Sequence, residues 1–543
     1  MEVALSADPA PAPVTRRRRL PGGLHALLFG VYPVLFLWSQ NLGETSFDVV
    51  IVPLVVVLLA VAVGLGIAGL AFRDLARGAL VVTPLVFGVL MYGHVAEVVD
   101  DVGIPVRLQQ LGWAGLVGLG ALGAWRLDAA RVRRLDSALT SVGALLVAVT
   151  LVTIVPYETG SIVESAGGRG SPSLGPGSGP LMTDPREYAT TTEAPKRDVY
   201  WLVFDRYGSD RSIELAFGKP SALTPWLREN GFTVLEDSHA NYVKTALSMS
   251  TTLNVTHLER LAAEMGPTSG DHDPVYDSLH DPVVARQFKA LGYSYHHIGS
   301  WWNPTRTDRG ADVNYNADGL SDFAAVLYDT SALPVVSRLL GLVERQPSAR
   351  TRHYEHNVYG LDTLDSLRAV PGPKFVLAHI LLPHTPYVFD RDGTYVQAAD
   401  ARGRSVSEAW DRQLEYTNRR LQAFFEDLLA LPPEQQPIII FQADEGPWDA
   451  FYQAERQDLD WATAPEDEVE IKFGIMNAWY VPGGTEALGL DPAQTAINTF
   501  PVLFSRYFGL SGYELLPDRI YGSGGWRRPY DLTDITDRVP SLR

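Results

Sequence analysis

Five long apolar segments in the first third of the chain constrain its fold more than any other feature. Each is close to the roughly 20 residues that an α-helix needs to cross the hydrocarbon core of a membrane. The segment DVVIVPLVVVLLAVAVGLGIAGLAF is too long and too apolar for a helix of a soluble protein. We therefore predict a five-helix transmembrane domain over residues 23–156. Its spans are residues 23–40, 48–72, 78–97, 109–125 and 138–155.

Arginine residues between these segments predict their orientation. The basic sequences RRRR, FRDLAR and RLDAARVRRLD alternate with the acidic sequences NLGETSFD and EVVDDVGIPVR. Because basic loops stay on the cytoplasmic side, residues 1–22 are expected in the cytoplasm and everything after residue 156 outside it. A cleaved signal peptide is disfavoured because four further apolar segments follow the first. The sequence thus predicts a multi-pass protein of the cytoplasmic (inner) membrane with an extracytoplasmic domain.

Composition divides the chain at the same place and excludes several functions. Residues 1–155 contain 11 Arg, no Lys and 10 acidic residues, whereas the remainder has 34 basic against 53 acidic residues. An acidic outer part argues against nucleic acid as a partner, since that interaction needs a basic surface. The chain has no cysteine. Disulfides, Cys-ligated zinc and a Cys nucleophile are therefore excluded.

The outer part begins with a predicted linker and continues as a predicted α/β domain. Residues 157–196 are rich in Gly, Ser, Pro and Thr, which is typical of a flexible tether. Near-continuous apolar runs at 198–205, 374–382 and 437–446 predict strands buried on both faces. The segment 407–431 has helical spacing and lies between two of them. We expect residues 197–543 to form a mostly parallel central sheet covered by helices.

Charged and polar residues follow these strands where each strand ends. Asp205 ends the first run, His384 follows the second, and Asp444 and Glu445 end the third. Ligands of open α/β sheets bind at the carboxyl ends of the strands. Buried carboxylates are costly unless they bind a cation or accept hydrogen bonds. Each residue alone is more often a cap or turn residue, but together they favour a metal site.

Four motifs, in their order along the chain, resemble those of a known superfamily. The sequences VYWLVFDRYGSDRS, YVKTALSMSTTLN, LLPHTPYVFDRDG and FQADEGP are similar to successive motifs of the alkaline phosphatase–sulfatase superfamily. The resemblance is strongest to membrane-bound sulfatase-like proteins related to lipoteichoic acid synthases and lipid A phosphoethanolamine transferases. Those families share a five-span anchor followed by an extracytoplasmic catalytic domain. The resemblance covers the whole chain in architecture and most of residues 197–530 in motif order.

The resemblance implies a role for each matching residue. It implies that Thr245 is the nucleophile and that one divalent metal ion is bound by Asp205, Thr245, Asp444 and Glu445. The implied substrate-binding residues are His384, His297, Trp302, Asn303, Lys472 and Asn477.

Departures from the family pattern narrow the chemistry. Glu445 stands where the family has histidine, and no histidine follows His384, which disfavours a two-zinc phosphatase site. An oxygen-only donor set favours Mg²⁺, Mn²⁺ or Ca²⁺ over Zn²⁺. Pro304 replaces an expected arginine, although Arg306 is near enough to substitute. A formylglycine sulfatase is excluded because the chain lacks both Cys and a Ser-x-Pro-x-Arg sequence.

The stretch around Thr245 has a second interpretation. Thr245 is also a suitable helix N-cap, with Leu247, Met249 and Leu253 packing below it. The two interpretations are compatible, since a helix N-terminus favours a phosphate anion. Lys244 either assists electrostatically or is an exposed residue beside a turn.

The expected function is a metal-dependent transferase that acts at the membrane. It would move a phospho-alcohol group, of phosphoglycerol or phosphoethanolamine type, from a phospholipid to an envelope glycan or lipid through a phospho-threonine intermediate. One alternative is a phosphoester hydrolase with the same nucleophile. Another is a catalytically inactive membrane scaffold, which the Glu445 and Pro304 departures motivate.

Overall fold

The chain divides into two compact units in a computed structural model. The structure describes residues 22–42, 45, 47–94, 106–166, 187–317, 319–341, 348–449, 459–525 and 527–542. One unit comprises Met1–Gln40, Ile51–Thr153 and Thr330–Leu333. The larger unit comprises Asn41–Val50, Ile154–Asp329 and Pro334–Arg543.

The N-terminal region is helical, as its apolar segments predict. Its five described helices are α1 (Leu24–Ser39), α2 (Phe47–Phe72), α3 (Leu75–Leu90), α4 (Val106–Arg126) and α5 (Ala129–Ala166). Two helical stretches, Val49–Phe72 and Ala129–Tyr157, are long and apolar enough to cross a membrane. Two more, α1 and α3, are apolar but have only 16 residues each. The helix lengths therefore support a membrane-anchored region without establishing the five spans that the sequence predicts.

Residues at both ends of the predicted linker have defined structure. Helix α5 continues through Ala166, ten residues beyond the predicted end of the membrane domain at 156. Residues 167–186 lie outside the described residues. After them, the Ala189 backbone exchanges two hydrogen bonds of 3.2 and 2.8 Å with the Gln287 side chain. The Thr192 hydroxyl donates to the Phe508 carbonyl at 2.7 Å. Packed chain thus begins before residue 197, because these polar groups find partners on the larger unit.

A seven-stranded sheet forms the centre of the larger unit. Its order is β2-β7-β6-β1-β5-β3-β4, and the β6–β1, β1–β5, β5–β3 and β3–β4 pairs are parallel. Only β7 and β2 at one edge pair antiparallel, which confirms a mostly parallel sheet. The strands are β1 (Val199–Phe204), β2 (Thr233–Val234), β3 (Ser294–Ile298), β4 (Val313–Tyr315), β5 (Lys374–Ile380), β6 (Ile438–Gln442) and β7 (Asn477–Tyr480), and a separate hairpin joins β8 (Tyr521–Ser523) and β9 (Leu532–Asp534).

Helices cover both faces of this sheet. The described helices are α6 (Asp210–Phe217), α7 (Leu223–Glu229), α8 (Thr245–Asn254), α9 (Glu259–Met265), α10 (Asp273–Asp277), α11 (Val283–Ala290), α12 (Asp322–Asp329), α13 (Leu333–Leu339), α14 (Ala349–Leu367), α15 (Ala398–Ala401), α16 (Val406–Leu429), α17 (Glu466–Phe473) and α18 (Thr499–Val502).

The central strands are buried along their whole length because apolar side chains leave them in both directions. On one face Leu202 and Phe204 of β1 pack in a core that includes residues of α14 and α16. On the other face Val203 packs in a core with Met249 and Leu253 of α8. This second core fixes α8 beside the carboxyl ends of the strands. The segment predicted as a helix at 407–431 corresponds to α16.

One buried amide connects the loop before α8 to the rest of the unit. The Asn241 side chain accepts a hydrogen bond from the Ile497 backbone N–H and donates to Thr495 Oγ1 and to the Arg519 carbonyl, each at 2.8 Å. Asn241 is fully buried. Its three bonds hold the chain four residues before Thr245.

Substituting this amide should therefore lower stability. We expect Asn241→Ala to reduce the free energy of unfolding by about 3 kcal/mol, because it leaves buried polar groups without partners. Asn230→Ala is the matched control. It removes one partly exposed bond to the Trp226 carbonyl and should cost below about 1 kcal/mol. Thermal unfolding of the two purified variants checks the difference, and equal losses would contradict it.

Candidate active site

Three neighbouring strands bring two carboxylates and one imidazole together. Asp205 directly follows β1, Asp444 lies two residues after β6, and His379 is the last residue but one of β5. Because β6, β1 and β5 are adjacent and parallel, these positions meet at one edge of the sheet. One ligand atom from each residue lies within 4.8 Å of the others, and all three residues are buried. We call these three residues the strand-end cluster.

The strand-end cluster has the donor atoms that a divalent cation needs. Asp205 Oδ1, Asp444 Oδ2 and His379 Nε2 are buried and have no hydrogen-bond partner within the described residues. The other ring nitrogen of His379 is held by Thr305 Oγ1 at 2.7 Å. Outer partners of this kind orient histidine ligands toward a metal. The cluster therefore fits a divalent cation, which Asp205, His379 and Asp444 would hold.

This donor set differs from the oxygen-only set expected from the sequence. His379 adds a nitrogen, and imidazole is a ligand that suits zinc and other transition metals. The preference for Mg²⁺, Mn²⁺ or Ca²⁺ over Zn²⁺ rested on oxygen donors alone. It consequently loses its basis.

The two carboxylates of the cluster have pKa values shifted in opposite directions. Burial opposes ionisation of Asp205, but His384, His379 and Arg206 outweigh it and hold its pKa below the usual range. Burial and the charges of Asp205 and Glu445 raise the pKa of Asp444 well above its usual value. Two buried acids side by side destabilise each other's charged form. A bound cation would remove this conflict.

The Thr245 side chain lies beside the cluster at the start of helix α8. Its hydroxyl favours the ionised form of the Asp444 carboxyl group and partly offsets the rise in the pKa of that group. Helix α8 begins at Thr245, and its N-cap is Lys244 rather than Thr245. Every later residue of α8 is buried, whereas Thr245 is partly exposed.

The other hydroxyls of this helix serve the helix itself. Ser250 and Thr251 donate to the Leu247 carbonyl at 3.2 and 2.8 Å. Thr252 donates to the Ser248 carbonyl at 2.9 Å. Such bonds to the preceding turn satisfy hydroxyl groups locally. Of these threonines and serines, Thr245 alone is partly exposed and influences the pKa of a cluster residue.

A cavity of about 270 Å³ lies beside Thr245. It combines charged groups with aromatic rings and sits entirely within the larger unit. Lys244, expected as a possible exposed residue, is 6% exposed and lines this cavity. The lining residues are Asp205, Arg206, Lys244, Thr245, Ala246, Trp301, Trp302, Leu381, His384, Glu445 and Trp448.

Glu445 does not join the strand-end cluster, contrary to its expected role as a metal ligand. Its carboxylate pairs with Arg206 Nε at 3.1 Å and with Lys472 Nζ at 2.8 Å, and it accepts a bond from Trp448 Nε1 at 3.1 Å. Consecutive side chains leave the chain in different directions, so Asp444 reaches the cluster and Glu445 reaches the cations. A Cβ at Gly446 would lie 2.0 Å from the carbonyl oxygen of Ile471. Only glycine, which has no Cβ, allows the backbone at this position to lie so close to Ile471.

Two of the six predicted substrate-binding residues line the cavity. These are His384 and Trp302. The Nδ1 atom of His384 lies in hydrogen-bond contact with the Thr385 carbonyl, so Nδ1 carries the ring proton and Nε2 is an acceptor. Burial, followed by the charge of Arg206, lowers the pKa of His384 to about 3. The ring is therefore neutral at neutral pH.

The other four predicted substrate-binding residues have different surroundings. His297 contacts Asn314 Oδ1 at 3.2 Å, and the Asn303 backbone N–H donates to Asp322 at 2.8 Å. Lys472 is paired with Glu445. Asn477 donates to Ser238 Oγ and accepts from Trp479 Nε1, both at 2.9 Å. These positions do not support direct contact with a substrate in the cavity.

Sequence reasoning missed His379, Arg206 and Trp448. Arg206 adopts a left-handed backbone conformation with φ of 65°. Its guanidinium carbon lies 3.2 Å from the centre of the Trp448 ring. Arg306, the expected substitute arginine, instead donates to the carbonyls of Gly319 and Leu320 at 3.2 and 3.0 Å. A histidine inside the apolar run KFVLAHILL was the one available signal for His379.

Comparisons with known proteins give one family model and several similar solved structures. Residues 201–471 match the family model described as Sulfatase. No curated protein matches the chain. One similar solved structure is the integral membrane lipooligosaccharide phosphoethanolamine transferase A from Neisseria meningitidis, which is 13% identical in sequence and has a TM-score of 0.40. The match covers 91% of this chain and 97% of the Neisseria chain. Another is the C-terminal periplasmic domain of EptC from Escherichia coli, which is 15% identical in sequence and has a TM-score of 0.38. This match covers 65% of this chain and 96% of the EptC domain.

The strand-end cluster predicts different effects for two adjacent acids. Asp444→Asn should abolish binding of a divalent cation, because it removes a charged ligand from the cluster. Glu445→Gln should retain the ion, because its carboxylate faces Arg206 and Lys472. Elemental analysis of purified, metal-loaded protein measures the expected ratio of about one ion per chain. Loss of the ion in Glu445→Gln with retention in Asp444→Asn would contradict the assignment, provided that both variants fold like the wild type.

Proposed function

Because this chain belongs to the sulfatase family through residues 201–471, whose members are enzymes, we propose that it is a metal-dependent transferase of phospho-alcohol groups. It moves a group of phosphoglycerol or phosphoethanolamine type from a phospholipid to an envelope glycan or lipid. The observation that carries this proposal is the position of Thr245, which lies beside Asp444 of the strand-end cluster and lines a cavity.

The first half of the proposed reaction forms a phospho-threonine. The Thr245 oxygen attacks phosphorus, the bond from phosphorus to the lipid alcohol breaks, and that alcohol leaves. Asp444 lies beside the Thr245 hydroxyl, and its ionised carboxylate is placed to accept the hydroxyl proton, while the departing lipid alkoxide takes up a proton. A divalent cation held by the cluster would lower the pKa of the hydroxyl and offset charge on the phosphoryl oxygens.

Two cations line the cavity where a phosphoryl group would lie. Arg206 is fixed by Glu445 at 3.1 Å and by the face of Trp448, and so it has little freedom to reorient. Lys244 Nζ lies 5.7 Å from the centre of the same ring. Their charges favour binding of an anionic group. Fixed charges also need little reorganisation during the reaction.

The second half transfers the group to an acceptor hydroxyl. The acceptor oxygen attacks phosphorus, the bond to Thr245 breaks, and the threonine oxygen regains a proton. His384 Nε2 is a hydrogen-bond acceptor at the cavity wall and can orient the incoming hydroxyl. If water enters instead, the same site performs hydrolysis.

We also propose the membrane arrangement that this reaction requires. Residues 1–22 are cytoplasmic, residues 23–156 cross the cytoplasmic membrane five times, residues 157–196 link the domains, and residues 197–543 form the extracytoplasmic catalytic domain. The two long apolar helices and the distribution of arginine support this arrangement. It keeps the cavity within reach of a lipid-borne donor.

Substitution of the proposed nucleophile should separate chemistry from fold. Thr245→Ala should lower the transfer rate by roughly 10³-fold or more, because no oxygen remains to attack phosphorus. Thr245→Ser keeps the oxygen and should retain measurable activity. Transfer is measured with full-length protein in lipid vesicles that contain a phospholipid labelled in its head group. Equal rates for Thr245→Ala and wild type would contradict the proposal.

The destination of the label distinguishes the candidate reactions. Label on a membrane lipid or glycan indicates a transferase, whereas label released only into water indicates a hydrolase. An inactive scaffold would release none and would give the same result with Thr245→Ala. The Thr245→Ala protein serves as the blank in each case.

A further inference from the structure

Exposed apolar side chains of the larger part of the chain are concentrated in one segment. Among the described residues after 187, ten large apolar side chains are exposed, and six of them lie within residues 320–340. Single exposed apolar residues are ordinary on protein surfaces, but a concentration of them marks an interaction site. This segment comprises α12 and α13, and we call it the apolar hairpin.

The two most exposed members lie at the end of α13. Leu339 is 79% exposed, and Leu340, which directly follows the helix, is 65% exposed; Val336, one turn earlier, is 40% exposed. Residues three and four positions apart lie on the same side of a helix. Their spacing therefore gives α13 a continuous apolar face.

Few charges interrupt the apolar hairpin, and its acids have partners. Residues 319–341 contain only three charged residues, Asp322, Asp329 and Arg338. Asp322 accepts a bond from the Asn303 backbone at 2.8 Å, and Asp329 pairs with Arg352 at 3.0 Å. Arg338 is the only basic residue in this stretch of the sequence.

The hairpin is attached to the wall of the candidate active site. Asp322 binds the backbone of Asn303, which directly follows the cavity residue Trp302. Arg306 donates to the carbonyls of Gly319 and Leu320, just before α12. Tyr328 of α12 and Ser337 of α13 are joined by a hydroxyl bond of 2.8 Å. These hydrogen bonds connect α13, through α12, to the wall of the cavity.

We propose that the apolar hairpin inserts into the surface of the lipid bilayer. A bilayer is the occupant that the observations favour, because the chain already carries helices able to cross a membrane and the hairpin is apolar and sparsely charged. Helices of this kind lie with their apolar face roughly 5–10 Å into the boundary between head groups and acyl chains. The inference rests on surface exposure and does not depend on the proposed reaction.

The absence of cysteine allows a direct test in the full-length protein. Leu339→Cys and Val336→Cys each introduce one thiol, which is labelled with a nitroxide after reconstitution of the protein into phospholipid nanodiscs. Leu515→Cys is the matched control, since Leu515 is 46% exposed and lies outside the hairpin. Collisions with oxygen report lipid, and collisions with a soluble nickel chelate report water.

The proposal predicts a ratio of oxygen to nickel accessibility severalfold higher at 336 and 339 than at 515. A ratio at 339 equal to that at 515 would overturn it and leave the hairpin in water. Low accessibility to both reagents at 336 and 339 would also overturn it and indicate a covering protein surface. Circular dichroism of each labelled variant confirms that the fold is unchanged, and the readout does not require activity.

Discussion

Burial of Asp205 and Asp444 beside each other is the constraint on which the rest of the site depends. Two carboxylates in a site of low dielectric constant repel each other and lose their hydration. The structure places them at the carboxyl ends of β1 and β6, with His379 of β5 next to them. Two oxygens and a nitrogen that have no hydrogen-bond partner among the described residues define a place for positive charge. Helix α8 then adds the Thr245 hydroxyl at the same position.

A second set of charges lies beside this cluster, and Arg206 contacts both, with Nε 3.6 Å from Asp205 Oδ1. Glu445 is held by Arg206 and Lys472 and is not directed toward Asp205 or Asp444. The arginine held in this way faces the cavity. One acidic dipeptide, Asp444–Glu445, thus has two different tasks, because one side chain contributes to the cluster and the other fixes a cation. The Glu445 departure from the family pattern is therefore compatible with an intact site and does not by itself favour an inactive scaffold.

Sequence patterns predicted the framework of the site but not its full membership. The strands around 198–205, 374–382 and 437–446 were recognisable because runs of apolar residues have few structural alternatives. Asp205 and Asp444 followed from their position at strand ends. His379 could not be assigned in the same way, because only the sheet order places β5 beside β1, and a lone histidine in an apolar strand has many explanations. The pairing of Glu445 with Arg206 and Lys472 was not predicted, because sequence adjacency does not reveal which way a side chain turns.

Helix ends and tertiary contacts account for the remaining differences. Helix α5 enters a stretch whose composition is typical of a linker, because the end of a helix depends on local capping and packing as well as on composition. Asn477 was predicted to bind substrate and Arg306 to replace a family arginine, but the structure gives both residues other partners. Both residues have polar groups that are satisfied by partners distant in sequence or in a neighbouring loop.

The central claim is that Thr245 becomes covalently modified during turnover. Peptide mass spectrometry of the full-length protein, quenched with acid during incubation with phospholipid vesicles, tests it most directly. The account predicts a phospho-alcohol adduct on the peptide that contains Thr245, located at that residue by fragmentation and absent from Thr245→Ala. Turnover without any adduct, or an adduct on another hydroxyl of α8, would contradict it.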